Sequence, residues 1–210
     1  EALDGVEAVF HLAGEPVAQG RWSDEKKRRI YDSRIVGTRN LVAGMSKLDA
    51  KPKVLVSASA VGYYGDRADE ELDENAAVGE GFLAEVCDEW EREAMAAAQL
   101  GVRVVCMRIG LVLATGGGAL ARMLPPFKMG VGGRLGSGKQ WMPWVHLVDV
   151  VGAIEHLLTS DLEGPVNMVA PEPIQNTALA KSFSSVLRLP AVLPVPKFAM
   201  RLLLGNAAEE

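Results

Sequence analysis

Three short apolar runs rich in β-branched residues punctuate the first half of the chain, and stretches of helical character separate them. They are Val6 to Leu12 (VEAVFHL), Val54 to Ser59 (VLVSAS) and Val102 to Ile109 (VRVVCMRI). Strands that are apolar almost throughout are covered on both faces, and a helix between two of them makes the connection a crossover. The pattern predicts βαβ units, a parallel sheet and helices on both sides of it. A fourth strand is expected from Pro165 to Val169.

The first helix begins at Ser23, a good N-cap, with Asp24 and Glu25 in its first turn. Its inward stripe reads Ile30, Arg34, Gly37, Leu41, Met45 and Leu48, spaced by three and four, which places Arg34 on the apolar face. Pro52 sets the limit of that helix. A second is expected from Phe82 to Gln99, with Phe82, Val86, Trp90 and Ala94 four apart, and a third from Leu147 to Leu158. Glycine density between Gly116 and Gly138 predicts loops around a site. Ala178 to Leu187 again has a helical pattern, and another helix is expected from Pro196.

With 210 residues and a net charge of −5, the chain can build one sizeable core or two small ones, and its mild acidity argues against nucleic acid as the main partner. No signal peptide is expected, and no apolar run nears the ~18–20 residues needed to span a bilayer. Cys87 and Cys106 lack any CxxC or zinc spacing. Both are expected to be buried thiols in a cytoplasmic protein, and no metal site is expected.

Several motifs can carry chemistry. His11 to Gly14 (HLAG) puts small residues at a strand's carboxyl end, where ligands of open α/β sheets lie; an ordinary strand-to-loop turn is the competing reading. His11 itself is expected to pack against the sheet. Ser57 to Gly65 (SASAVGYYG) follows the second strand, so Ser59 can donate to a substrate oxygen and Tyr63 or Tyr64 can act as an acid. A polar turn remains the alternative there. Gly133 to Gln140 (GRLGSGKQ) fits GxxxxGK, but Gln140 stands where a phosphate loop has Ser or Thr, and no strand precedes it. It reads better as a substrate loop, with backbone amides of Gly136, Ser137 and Gly138 beside Arg134 and Lys139 holding an anion, or else as a flexible surface turn. His146 lies beside it in sequence, Asp149 is expected to cap the following helix, and Lys26 to Arg29 reads as a solvated helix face.

Taken in order, HLAG, VGTRNL, SASAVGYYG, RIGLVL, GSGKQWMPWVHLVDV and GPVNMVAP resemble the extended short-chain dehydrogenase/reductases. GEP at Gly14, the double tyrosine, LPPF and GGRLGSGKQW resemble the atypical epimerase-family, cell-division-inhibitor-like subgroup within them. The resemblance implies an NAD(P)-binding Rossmann fold: a doubly wound parallel sheet over residues 1–115 whose N-terminal strands lie outside this stretch. Residues 116–210 would form a small substrate lobe plus the last sheet elements (139–170). It also implies that Leu12, Ala13 and Gly14 touch the ribose and pyrophosphate side of the cofactor. Ser57, Ala58 and Ser59 would line the nicotinamide, with Ser59 as the catalytic serine. Arg108, Ile109, Gly110 and Leu111 would close over it, and His146 would border the substrate. Arg34 stands where many relatives carry Asn; a cation there suits a phosphate or ribose, which favours NADP, with NAD as the other candidate.

Two departures shape the functional reading. The GxxGxxG fingerprint is missing, and the family places it two βαβ steps, on the order of 60 residues, before HLAG. The family's YxxxK motif would open the helix near residue 82, which instead reads Phe82, Leu83, Ala84, Glu85, Val86. Tyr63 with Arg67 is a YxxxR pairing by spacing alone. Two readings stay open: an NAD(P)-dependent oxidoreductase or epimerase-like enzyme acting on a nucleotide sugar or similar anion, and an NADP-binding regulator or scaffold without turnover. A small-molecule substrate is expected, neither nucleic acid nor membrane is, and self-association into a homodimer is allowed.

Overall fold

The computed structural model describes residues 3–18, 20 and 22–189. In chain order the first elements are β1 (Ala8–His11), α1 (Asp24–Ser46), β2 (Val54–Ala60), α2 (Phe82–Met95) and β3 (Arg103–Ile109). There follow β4 (Leu111–Leu113), α3 (Gly118–Lys128), β5 (Trp141–Met142), β6 (Trp144–His146) and α4 (Leu147–Thr159). The last are β7 (Gly164–Met168), β8 (Ile174–Gln175) and α5 (Asn176–Leu187). A 3₁₀ turn, Val61–Tyr64, follows β2, and another, Ala96–Leu100, extends α2.

The main sheet runs β1-β2-β3-β7, all parallel. Its two faces follow from the period of two along each strand. Leu55, Val104 and Cys106 point to one side and pack on Met45 of α1 and on Ala94 and Ala97. Val54, Val56, Val105 and Met107 point to the other and meet Val150 and Leu157 of α4. Helices therefore cover both faces, as the apolar runs required. Leu55 and Met107 are fully buried, each contributing roughly 1.5–3 kcal/mol of apolar burial. Two small pairings, β4 with β6 and β5 with β8, lie outside the main sheet.

Ser23 caps α1, its side chain accepting from the Lys26 amide at 3.2 Å. The inward face of α1 is broader than predicted. Ile30 and Met45 are buried, but so are Ile35 and Thr38, because α1 packs against α2 as well as the sheet. Lys26 is not solvated either: it is 4% exposed and paired with Glu15 at 2.6 Å. The segment read as loop between Gly116 and Gly138 contains α3. Its prolines, Pro125 and Pro126, fall in the last turn, where they lack the amides that would bond to the Ala121 and Arg122 carbonyls, and the strong helix formers from Ala119 to Leu124 carry the helix up to them. The N-cap of α4 is His146, whose Nδ1 accepts from the Val148 amide at 3.2 Å, whereas Asp149 sits in the first turn. The helix expected from Pro196 lies outside the described residues.

Candidate functional site

Parallel neighbours deliver their carboxyl ends to one edge. His11 pairs with Ser57, and Ala60 with Ile109, so the turns that follow β1, β2 and β3 emerge side by side. Their exposure divides the predicted contact residues. Leu12, Ala13 and Gly14 are exposed, Ile109, Gly110 and Leu111 are half-buried, and Ser57, Ala58, Ser59 and Arg108 are buried. Gly110 must lack a side chain, because a Cβ there would collide with the Pro143 carbonyl oxygen. That carbonyl also accepts from the Leu111 amide at 2.7 Å, which fixes the turn against the β5–β6 connection.

The turn after β1 is held from beneath. A Cβ on Gly14 would lie 3.0 Å from Arg34 Cζ. Arg34 Nη1 donates to the Glu15 carbonyl at 3.1 Å and the Ile30 carbonyl at 3.3 Å, and its guanidinium lies 5.0 Å from the Trp90 ring centroid. Arg34 lies beneath this turn, and its partners are protein groups. The Glu15 amide donates to Ser33 Oγ at 2.9 Å.

His11 is buried, with Nε2 and Thr38 Oγ1 2.7 Å apart and its ring edge-on to Trp90. Burial pulls its imidazole below the usual value of 6.5, so the folded chain keeps it neutral where the unfolded chain protonates. Its contribution to stability is present above about pH 6.5 and is lost as pH falls through the lower folded value. The melting temperature should therefore fall as pH drops below about 6.5, and His11→Gln should flatten that part of the profile.

Beneath the second and third turns lies a buried polar network. Ser59, 3% exposed, donates from Oγ to Glu91 Oε1 at 2.6 Å. Glu91, on α2, accepts a forked pair from Arg108 Nε and Nη2, each at 2.9 Å. Arg108 Nη1 donates to the Tyr64 hydroxyl at 3.0 Å and the Glu74 carbonyl at 3.2 Å. Tyr64 in turn donates to Asn167 Oδ1 at 2.6 Å, and the Asn167 amide donates to Glu74 Oε1 at 2.8 Å. Ser59, Tyr64 and Arg108 are thus brought together, with their polar groups engaged by protein. Tyr63 lies above them, its ring centroid 3.5 Å from Arg108 Cζ. The YxxxR pairing is not formed; Arg67 instead makes a forked bond to Glu70.

Glu91, Asn167 and Glu74 escaped the motif reading. Glu91 had a visible signal, since it shares a helical face with buried Ala84, Cys87 and Ala94, where a lone carboxylate calls for a cation. Arg108, inside an apolar strand, answers it. Phe82 packs edge-on to Trp22 at 5.6 Å and Val86 is buried in the same cluster, so neither position can move a proton. Burial pushes the Cys87 thiol up to about 11 and the Cys106 thiol up to about 12, which keeps both unreactive.

The loop from Gly133 to Gln140 is an ordered turn fastened to α5. The Asn176 and Thr177 amides donate to the Gln140 and Gly138 carbonyls, both at 2.9 Å, and Asn176 Oδ1 accepts from the Leu135 amide at 2.7 Å. The Gly138 amide is engaged by the Leu135 carbonyl at 2.9 Å and the Lys139 amide by Ser137 Oγ at 3.3 Å. The Arg134 and Lys139 side chains flank the turn; Arg134 Nη1 reaches the Ser137 carbonyl at 3.4 Å. His146 is exposed, with Nδ1 engaged as the cap. Among the described residues no three His, Cys, Asp or Glu side chains gather as metal ligands, and no helix is long and apolar enough to cross a membrane.

A doubly wound parallel sheet with small-residue turns at the carboxyl edge of three adjacent strands defines a Rossmann-type α/β protein. The model of the NAD dependent epimerase/dehydratase family matches residues 1–169, and the chain belongs to that family. It is 43% identical over 210 residues to an epimerase family protein of Mycobacterium bovis, covering 100% of this chain and 69% of the relative. Among solved structures, the human epimerase family protein SDR39U1 with NADPH is 33% identical with a TM-score of 0.90, over 98% of this chain and 70% of that one. The nucleoside-diphosphate sugar epimerase from Corynebacterium glutamicum is 32% identical with a TM-score of 0.75, over 95% of this chain and 43% of that one.

Proposed function

We propose that the protein is an NADP-dependent oxidoreductase or epimerase acting on a nucleotide-linked or similarly anionic substrate. The observation that carries this reading is the shared edge at which the turns after β1, β2 and β3 emerge. The residues there fit a dinucleotide. The exposed small residues Ala13 and Gly14 leave room for a flat ring and its ribose to approach, while Gly110 lets the third turn seat on the Pro143 carbonyl. When bound, the dinucleotide supplies or accepts the hydride. The chain's own part is to bind and orient: exposed Leu12, Ala13 and Gly14 on one side, Ile109, Gly110 and Leu111 on the other, and β2 between them. Arg134 and Lys139 supply positive charge for a substrate phosphate or carboxylate, with the ordered turn at Gly136 and Ser137 between them. The preference for NADP comes from the human relative solved with NADPH, because Arg34 is engaged with protein carbonyls. The nucleotide-sugar class is supported by the Corynebacterium glutamicum relative.

A second reading, binding without turnover, draws on the proton-free Phe82 and Val86 and on the engagement of Ser59 with Glu91. One assay separates the two. The full-length protein is titrated with NADPH by fluorescence and then offered a panel of nucleotide-sugar carbonyls. Saturable binding with NADPH oxidation is the expected result. Saturable binding with neither NADPH oxidation nor an epimerised nucleotide sugar by NMR favours the regulator, and absence of binding removes both readings.

A further inference from the structure

We propose that Tyr63 is the proton-carrying hydroxyl of this site, and that Arg108, charge-balanced by Glu91, is the residue that positions it. This rests on the oxidoreductase reading above and supplies the acid that Phe82 cannot be.

The hydroxyls near the edge can be sorted by what they already do. Ser59 donates to Glu91, and Tyr64 both accepts from Arg108 and donates to Asn167. Each is buried and its proton has a protein acceptor. Tyr63 differs on both counts. It is half-buried, and among the described residues its hydroxyl has no hydrogen-bond partner. Its main chain is nonetheless fixed, since its carbonyl accepts from the Gly79 amide at 2.9 Å and its ring lies edge-on to Tyr64 at 5.4 Å. It stands in the 3₁₀ turn that continues β2 past the carboxyl edge, the same edge at which Ala13 and Gly110 emerge. A fixed aromatic body with an unengaged hydroxyl at a ligand edge is what a positioned proton donor requires.

The Arg108 guanidinium under the ring has a specific consequence. A cation on the face of an aromatic ring is attracted to its electron density, and that attraction grows when the ring carries a phenolate. Glu91 fixes the guanidinium plane through its forked bond, so the cation is set in place before any ligand binds. In the step, the O–H bond of Tyr63 breaks and an O–H bond forms on the substrate oxygen. Bound NADPH would supply the hydride for the adjacent carbon, becoming NADP⁺, and solvent returns a proton to the Tyr63 phenolate.

The test labels the full-length protein with 3-fluorotyrosine and follows the fluorine resonances of Tyr31, Tyr63 and Tyr64, assigned by Tyr→Phe substitution, during a calorimetric titration with NADP⁺. The Tyr63 resonance should shift in step with saturation while those of Tyr31 and Tyr64 stay in place. Tyr63→Phe should keep NADP⁺ affinity within about twofold and lower turnover on the order of 10²–10⁴-fold. Arg108→Lys, or Glu91→Gln if that variant does not fold, should abolish the NADP⁺-dependent shift of Tyr63. A merely structural Arg108 would lower the melting temperature and leave that shift intact. A Tyr63 resonance that is still at saturation, or Tyr63→Phe turning over at the wild-type rate, overturns this inference alone. A wild-type protein that binds NADP⁺ but turns nothing over overturns the oxidoreductase reading and the proton role with it.

Discussion

Glu91→Ala should destabilise the protein by roughly 3–5 kcal/mol, the usual cost of removing one partner of a buried ion pair. Arg108 is 3% exposed and Glu91 is 9% exposed, so water is not at hand to replace what is lost. The guanidinium would be left with the Tyr64 hydroxyl and the Glu74 carbonyl, and the Ser59 hydroxyl would lose its acceptor. For a domain of this size about 2–4 °C of melting temperature accompanies each kcal/mol, so the midpoint should fall by roughly 6–20 °C. The paired replacement Glu91→Leu with Arg108→Met removes both charges and should cost distinctly less than Glu91→Ala alone. Thermal melts of the two variants check this. A double variant less stable than the single one would show that the ion pair itself, and not the uncompensated charge, supplies the stability.

Ala13→Asp should leave the fold intact and weaken NADPH binding on the order of 100-fold, about 2.8 kcal/mol. Ala13 is exposed in the turn after β1, outside every core cluster, where substitutions usually change stability by no more than about 0.5 kcal/mol. In the proposed site this turn faces the ribose and pyrophosphate, and a carboxylate there meets like charge as well as lost space. Val186→Asp, at a position 82% exposed on α5, is the matched control and should bind as the wild type does. Fluorescence titration of the full-length variants decides it. Equal affinities for the two would place the dinucleotide elsewhere.

What was legible in the sequence is what local pattern encodes. Continuous apolar runs announced β2 and β3 because parallel strands bury both faces, and Ser23 announced the start of α1 because its side chain caps a nearby amide. α3 was hidden by the two prolines in its last turn. The polar network was not legible as a network. Its bonds join residues 17 apart (Glu91–Arg108), 32 apart (Ser59–Glu91) and 103 apart (Tyr64–Asn167), and no window along the chain contains such pairs. Only the misfit of single residues hinted at it, a carboxylate and a guanidinium each set among apolar neighbours. For the same reason Ser59, Tyr63 and Tyr64 looked equivalent as hydroxyls after a strand, and their partners separate them. Lys26 likewise read as one more surface base until the fold brought Glu15 to it.

The measurement that bears most directly on the account is a crystal structure of the full-length protein with NADPH. The nicotinamide should lie against the backbone that follows β1, β2 and β3, bounded by Ala13, Ala60 and Gly110. A dinucleotide bound at full occupancy away from those three turns would contradict the account.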